Sequence, residues 1–282
     1  MLKSQITLLH KEIVAPQTFL LTFYSEDSID FLPGQFANFE IEPKTYRSYS
    51  FVNYSPKLPT FLQNQLQSLQ QKFPQINFDK QENPEENSES LINSQEKIEE
   101  IQKNKEKASY WTFLVSSKSG GIASKLFEKI EIGFELPILA PVGRFGVLDT
   151  ETEKVFVCTG TGLAPFIPMI KKAMTKAKCT LFFGTSHDAG DYGRTLCENF
   201  GLFENPNFVM YSGMFPIRTP NETEFVQNGT VTELLPKYVK EFESKEFYLC
   251  GNPFMVLDVE KLLVAGGAKV TIKENFGTIK KD

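Results

Sequence analysis

The chain has 282 residues, a length for one large domain or two ordinary ones. Apolar residues make up 41% and charged residues 23%, enough to bury a core, so disorder of the whole chain is excluded. With 30 basic and 35 acidic residues the net charge is −5, and no general electrostatic footprint for nucleic acid exists. Four cysteines do not make a disulfide scaffold, and no apolar run approaches the roughly 18 residues that a membrane span needs. The segment MLKSQITLLHKEIV has no long apolar stretch, so no signal peptide is expected, and the expectation is a soluble, cytoplasmic, reduced protein.

Residues 1 to about 55 read as strands. ITLLHKEIV, TFLLTFYS, FANFEIE and YRSYSFVN are short, β-branched or aromatic, and broken by Pro, Gly, Asp and Ser. Strands with no helix pattern between them predict an antiparallel barrel or sandwich. Residues 56–108 are a polar insertion, partly helical or disordered. FLQNQLQSLQQKF places Leu62, Leu66 and Leu69 at helical spacing, SQEKIEEIQKNKEKA is a charged helix former, and DKQENPEENSES between them reads as disordered. The expectation is a solvated surface excursion. Strand pattern resumes at YWTFLVSS, and GGIASKLFEKI reads as a short helix. From residue 153 onward five apolar strands (KVFVCTG, CTLFFGTS, NFVMYSG, EFYLCGN, KVTIKENF) alternate with three helical stretches. That alternation predicts a parallel sheet covered on both faces. The domains are thus read as residues 1–150 and residues 151–282.

Three sites carry possible chemistry. VFVCTGTGLAP runs from a buried strand into a helix. Gly160 and Gly162 permit a tight turn, and the helix N-terminus behind them offers free N–H groups to an anion. Pro165 suits the first helical turn, where its missing N–H costs nothing. The pattern is G-x-G-x-x-P rather than the dinucleotide G-x-G-x-x-G, and alone it reads equally well as a tight strand-to-helix turn. In RSYS, alternation puts Arg47 and Tyr49 on one face and Ser50 on the other. Such an Arg can pair with phosphate and such a Tyr can stack on a planar ligand, although ordinary strand residues look the same. Gly120 and Gly121, with Ile122, Ala123 and Ser124, open a helix as a phosphate nest or a plain cap.

These pieces occur in a fixed order: PGQ at 33–35, RSYS, GGIAS, APVGRF at 140–145, GTGLAPF at 160–166, CGNPFMV at 250–256 and KENFG near the end. Together they resemble the ferredoxin–NADP reductase-like family of flavoprotein oxidoreductases, over everything except about residues 56–108. The resemblance implies a six-stranded antiparallel β-barrel that binds flavin, followed by an α/β parallel-sheet domain for a nicotinamide nucleotide. It also implies roles. Arg47 would contact a flavin phosphate, Tyr49 would pack on the isoalloxazine, and Ser50 would hydrogen-bond near its N5. Gly120, Gly121, Ile122 and Ser124 would hold the pyrophosphate. Gly160, Thr161, Gly162 and Pro165 would cradle the nicotinamide nucleotide, with Cys250 and Gly251 beside the nicotinamide. Phe276 would cover the flavin's other face, with Glu274 as its neighbour. Ser50, Cys250, Glu274 and Phe276 are thereby the catalytic candidates.

The implied activity is NAD(P)H oxidation through bound FAD, with electrons passing to a separate carrier protein or a small acceptor. FAD is favoured over FMN because the GGIAS element is intact. A free flavin reductase and a non-catalytic flavin-binding module are the alternatives. Cys158, Cys179, Cys197 and Cys250 are too scattered for a plant-type iron–sulfur site, and no metal is expected. NADH is favoured over NADPH. Where NADP-specific relatives place a Ser-Arg pair, this chain has Ser212 and Gly213, and the strand end at Gly184–Asp191 offers His187 but also Asp188 and Asp191, whose carboxylates would repel a phosphate. Arg218 is the residue able to replace the missing guanidinium.

Overall fold

The computed structural model describes residues 2–27, 29, 31–55, 59–76, 109–215 and 226–276. Six antiparallel strands close a barrel: β1 (Leu2–Ala15), β2 (Thr18–Ser25), β3 (Phe36–Glu42), β4 (Thr45–Ser55), β5 (Ser109–Ser116) and β6 (Glu135–Val142), in the order β1-β2-β5-β4-β3-β6. Helix α1 (Leu66–Lys72) lies between β4 and β5, and α2 (Ile122–Lys129) between β5 and β6. The barrel interior is filled by aromatic rings. Phe39 meets Phe113 edge-on at 4.7 Å and Phe23 at 5.8 Å, and Phe127 of α2 joins the same cluster.

The second half is an α/β unit: β7 (Lys154–Thr159), α3 (Phe166–Ala173), β8 (Cys179–Ser186), α4 (Tyr192–Asn199), β9 (Phe208–Phe215), β10 (Val226–Asn228), α5 (Val231–Tyr238), β11 (Glu246–Gly251), α6 (Pro253–Ala265) and β12 (Val270–Asn275). Its six strands run β10-β9-β8-β7-β11-β12, and every neighbouring pair is parallel. The central strands β7, β8 and β11 are almost wholly buried, as the alternation of strands and helices requires. Strand β10 and helix α4 are absent from the sequence expectation. Three residues are too few to show a period, and YGRTLCEN buries only Tyr192, Gly193, Leu196 and Cys197 among polar neighbours.

The two halves share a core. Leu20, Val52 and Leu114 on the outside of the barrel pack in one cluster with Phe156, Phe166, Ile167 and Ile170 of the α/β unit. The expectation of a solvated excursion fails for residues 59–76. Leu62, Leu69, Phe73 and Ile76 are buried with Leu9 and Tyr110 in a cluster of their own. Burying each such side chain contributes about 1.5–3 kcal/mol, which no solvated loop would gain. Phe61 also reaches both halves, meeting His10 of β1 at 6.2 Å and Phe200, just past α4, at 5.6 Å. The DKQENPEENSES stretch and the charged helix former after it lie outside the described residues.

The crossing between the halves is held by a buried ion pair. Lys154 Nζ, fully enclosed, lies 3.2 Å from Glu246 Oε2 and donates to the Thr150 and Thr152 carbonyls at 2.9 and 3.0 Å. Thr150 Oγ1 and Tyr248 Oη donate to the two Glu246 oxygens, and the Leu148 N–H donates to Tyr248 Oη. Every charge in the network is met, which is the condition under which a buried pair is tolerated. Lys154→Met is therefore expected to destabilise the protein by about 3–5 kcal/mol, by leaving Glu246 buried without its partner. Urea unfolding checks this. A loss under about 1 kcal/mol, the worth of an exposed pair, would show that the network is solvated.

Candidate functional site

A groove of about 1050 Å³ runs along the carboxyl ends of β7, β8, β9 and β11. That end of a parallel sheet is where open α/β folds bind ligands. Its far wall comes from the barrel rim, through Thr18, Ser116, Lys118 and Ser119.

The floor is shaped by two glycines that face one another. A Cβ on Gly162 would stand 2.4 Å from the Cys250 carbonyl oxygen, and a Cβ on Gly251 would stand 2.6 Å from the Thr159 carbonyl oxygen. Gly251 also has φ +126 and Gly160 φ +57, conformations that L side chains rarely adopt. The turn after β7 therefore lies directly on the end of β11. The Asn252 N–H donates to Thr159 Oγ1 at 3.0 Å, and the Asn252 side chain caps α6 by accepting from the Phe254 N–H at 2.9 Å. Pro165 precedes α3 in helical conformation at φ −67. The reason for Gly162 thus differs from the sequence expectation. The glycine is required by the neighbouring strand, not only by an incoming phosphate.

Gly160, Thr161, Gly251 and Phe276 line the groove together, whereas Gly162 and Cys250 lie beneath it. The Phe276 N–H donates to the Gly251 carbonyl at 3.0 Å, holding the half-buried ring at the groove's end. Glu274 stands opposite Cys250 in the β11–β12 register. Its Oε2 is buried with no hydrogen-bond partner, and burial pushes the carboxyl up to about 7. Cys250 is fully buried, and burial first, then the Glu274 charge, pushes its thiol well above the usual range. It is a neutral thiol at physiological pH rather than a nucleophile.

Arg47, Tyr49 and Ser50 lie on β4 of the barrel, and the GGIAS residues open α2. Arg47 is exposed, its Nη1 donating to the Tyr46 carbonyl at 2.8 Å. The half-buried Tyr49 ring packs at 5.0 Å from both Phe39 and Phe127, which ties β4 to α2. Burial pushes the Tyr49 phenol up to about 12 against the pull of Arg47. Ser50 is buried on the other face of β4, the face of Val52, which packs against the α/β unit. Helix α2 starts at Gly121 with no side-chain cap, so its first N–H groups are free to meet an anion. Gly120 sits at φ +65 with nothing within 4 Å of a Cβ there, and Ile122 opens the helix. Ser124 is buried, and its hydroxyl shares a 2.8 Å hydrogen bond with Ser119, a residue of the groove wall. That bond joins the two patches.

Sequence reasoning missed the barrel rim and the residues after β10. Lys118 and Ser119 carry no local signal, because only closure of the barrel brings them over the sheet. Thr230 and Glu233 do carry one, the spacing of a helix capping box before an apolar run, and they form that box at the start of α5. Arg218 lies outside the described residues. No helix among the described residues is long and apolar enough to cross a membrane, and among them no group of three or more His, Cys, Asp or Glu could hold a metal ion.

The family model described as an oxidoreductase NAD-binding domain matches residues 156–261. The chain is 25% identical over 260 residues to the anthranilate 1,2-dioxygenase electron transfer component of Acinetobacter baylyi, covering 89% of this chain and 60% of that protein. It is 29% identical over 161 residues to the toluate 1,2-dioxygenase electron transfer component of Pseudomonas putida, covering 55% of this chain and 46% of that protein. The chain thus spans less than two thirds of the length of these two relatives. Among solved structures, an Amycolatopsis cytochrome P450 reductase superposes with a TM-score of 0.69 at 18% identity, over 98% of this chain and 70% of that one. A ferredoxin NADP+ reductase from Neisseria gonorrhoeae, with bound FAD and NADP, superposes at 0.63 and 17% identity, over 97% and 98%. The chain thus has the two-domain fold of these reductases, and residues 156–261 match an oxidoreductase NAD-binding domain.

Two outcomes are expected from this geometry. Gly162→Ala should cost about 1–3 kcal/mol in urea unfolding, the usual penalty of overpacking, because the Cys250 backbone must move. An unchanged midpoint would mean that the turn yields freely. For Glu274 the folded carboxyl titrates near 7 against an ordinary value of 4.5, so the fold favours its neutral form. The resulting destabilisation is absent below about pH 4.5, grows as pH rises, and is complete above about 7. Glu274→Gln should therefore raise the melting temperature at pH 8 and leave it nearly unchanged at pH 5. A difference that does not vary with pH would refute the assignment.

Proposed function

We propose that the protein is an NAD(P)H-dependent flavoprotein reductase that takes electrons from a nicotinamide nucleotide and passes them to a separate acceptor. The observation that carries this reading is the meeting of two patches across the Ser119–Ser124 bond. One is a nucleotide groove ending at Gly251 and Phe276, and the other is a flavin-sized surface built from Arg47, Tyr49, Ser50 and the uncapped start of α2. In this reading residues 1–150 hold the flavin and residues 151–282 the nicotinamide nucleotide.

The residues fit FAD. Arg47 offers an exposed guanidinium for a phosphate, α2 offers free amide donors for the pyrophosphate, and Tyr49 offers a ring held edge-on by Phe127. Bound FAD would supply the hydride and one-electron chemistry. The chain's own residues position and exclude. The Gly162–Cys250 contact sets the height of the groove floor, Phe276 would cover the nicotinamide's place until displaced, and Glu274, opposite Cys250, carries a carboxyl that burial pushes up to about 7. The free cysteines are all buried and far apart in sequence, so in this reading the acceptor is another protein or a small molecule. The relatives named as electron transfer components support that direction of flow.

The deciding experiment is anaerobic reduction. Purified protein loaded with FAD should be yellow and should bleach with NADH or NADPH. Protein that binds flavin but is bleached by neither would overturn the enzyme reading in favour of a binding module. Arg47→Ala should lose about 1.5–3 kcal/mol of flavin affinity, roughly 10- to 100-fold in dissociation constant. Fluorescence titration of the apoprotein measures it, and an unchanged constant would remove Arg47 from the flavin site.

A further inference from the structure

We infer that Glu233 selects NADH against NADPH, by closing with a carboxylate the recess into which the adenosine 2′ position fits. The inference rests on the coenzyme reading above.

The orientation of the nucleotide follows from the groove. Its nicotinamide end belongs where the floor reaches the barrel, at Gly251 and Phe276, on the β11–β12 side. From β11 the strand order runs through β7 and β8 to β9, three steps of about 4.8 Å, so the far end of the groove lies about 14 Å away. That span is the reach of an extended dinucleotide, with its diphosphate over the Gly160 turn and its adenosine ribose over the ends of β8 and β9.

At that far end the wall has been emptied of side chains. Gly213 lies against the next loop: a Cβ there would stand 2.8 Å from the Gly229 carbonyl oxygen. Gly229 has φ +135, and a Cβ on it would stand 2.9 Å from Glu233 Oε2. The two glycines therefore let the end of β9, the loop before α5 and the Glu233 carboxylate pack closely, and Gly213, Gly229 and Glu233 all line the groove. A phosphate entering here would find the start of α5 already satisfied. The Thr230 N–H donates to Glu233 Oε2 at 2.8 Å, and the Glu233 N–H donates to Thr230 Oγ1 at 3.3 Å. The first of these donors is thus engaged by a group of like charge to the anion, and the carboxylate stands at the helix start.

Lys118 is the one Lys or Arg among the described lining residues, and its Nζ is held by donating to Ser186 Oγ at 3.4 Å. Arg194 of α4 pairs with Glu198 at 3.1 Å and lies over the Phe203 ring. A ribose hydroxyl, by contrast, can donate to a carboxylate oxygen.

Glu233→Gln is the clean test, because glutamine keeps the capping box and removes the charge. Wild-type protein should show a higher kcat/KM with NADH than with NADPH, and the variant should shrink that ratio at least fivefold through a lower KM for NADPH. Calorimetric titration with 5′-AMP and with 2′,5′-ADP should show the same relative gain for the phosphorylated nucleotide. Thr232→Lys, which leaves the cap in place, should move the ratio in the same direction and covers the case in which the first variant fails to fold. A folded Glu233→Gln protein with an unchanged ratio would overturn the inference, as would a wild-type preference for NADPH. If neither coenzyme reduces the bound flavin, the activity reading falls, and the two-nucleotide titration still decides the role of Glu233.

Discussion

The site depends on a contact between two stretches of backbone. The turn after β7 lies on the end of β11 so closely that neither Gly162 nor Gly251 can carry a side chain. Main chain against main chain leaves little freedom to slide, and the Asn252–Thr159 and Phe276–Gly251 hydrogen bonds fasten both sides of it. From this one contact follow the height of the groove floor, the entry of α6, the register of β12 and hence the places of Glu274 and Phe276. A looser contact would leave each of these groups on a flexible support, and orientation is what the proposed chemistry asks of the protein.

The groove also needs its opposite wall. That wall belongs to the barrel, and three devices hold the barrel against the sheet. The outward face of β2, β4 and β5 packs into the same apolar cluster as α3. The Lys154–Glu246 network fixes the crossing segment with every charge met. The segment with α1 places Phe61 between His10 and Phe200, one on each half. The last device gives the early part of the insertion a structural reason, since its apolar residues bury where a polar excursion would not.

The electrostatics divide the labour in the same way. The buried thiols are held neutral, and the one carboxyl near the nicotinamide end titrates near neutrality. The charged groups of the site that remain exposed are Arg47 on the barrel and Lys118, Glu233 and Asp258 along the groove. Such a site binds and orients; it does not rely on a protein acid or base of strong reactivity.

Much of this was legible in the residues themselves. The alternation of KVFVCTG, CTLFFGTS and EFYLCGN with helical stretches determined a parallel sheet, because strands covered on both faces must be apolar throughout. The alternation in RSYS determined that Arg47 and Tyr49 share one face of the strand and Ser50 takes the other, because side chains on a strand change face at each step. The order of the short motifs carried the resemblance to flavoprotein reductases, whose two-domain fold the chain shares. Tertiary structure alone decided the rest. That Gly162 answers to Cys250, that Leu62 and Phe73 find Leu9 and Tyr110, and that Lys118 and Glu233 stand in one groove are facts about residues tens to more than a hundred positions apart. Periodicity reports only how a residue stands to its near neighbours in the chain. Contacts across a barrel wall or between two strand ends are set by closure and packing, which no local pattern encodes.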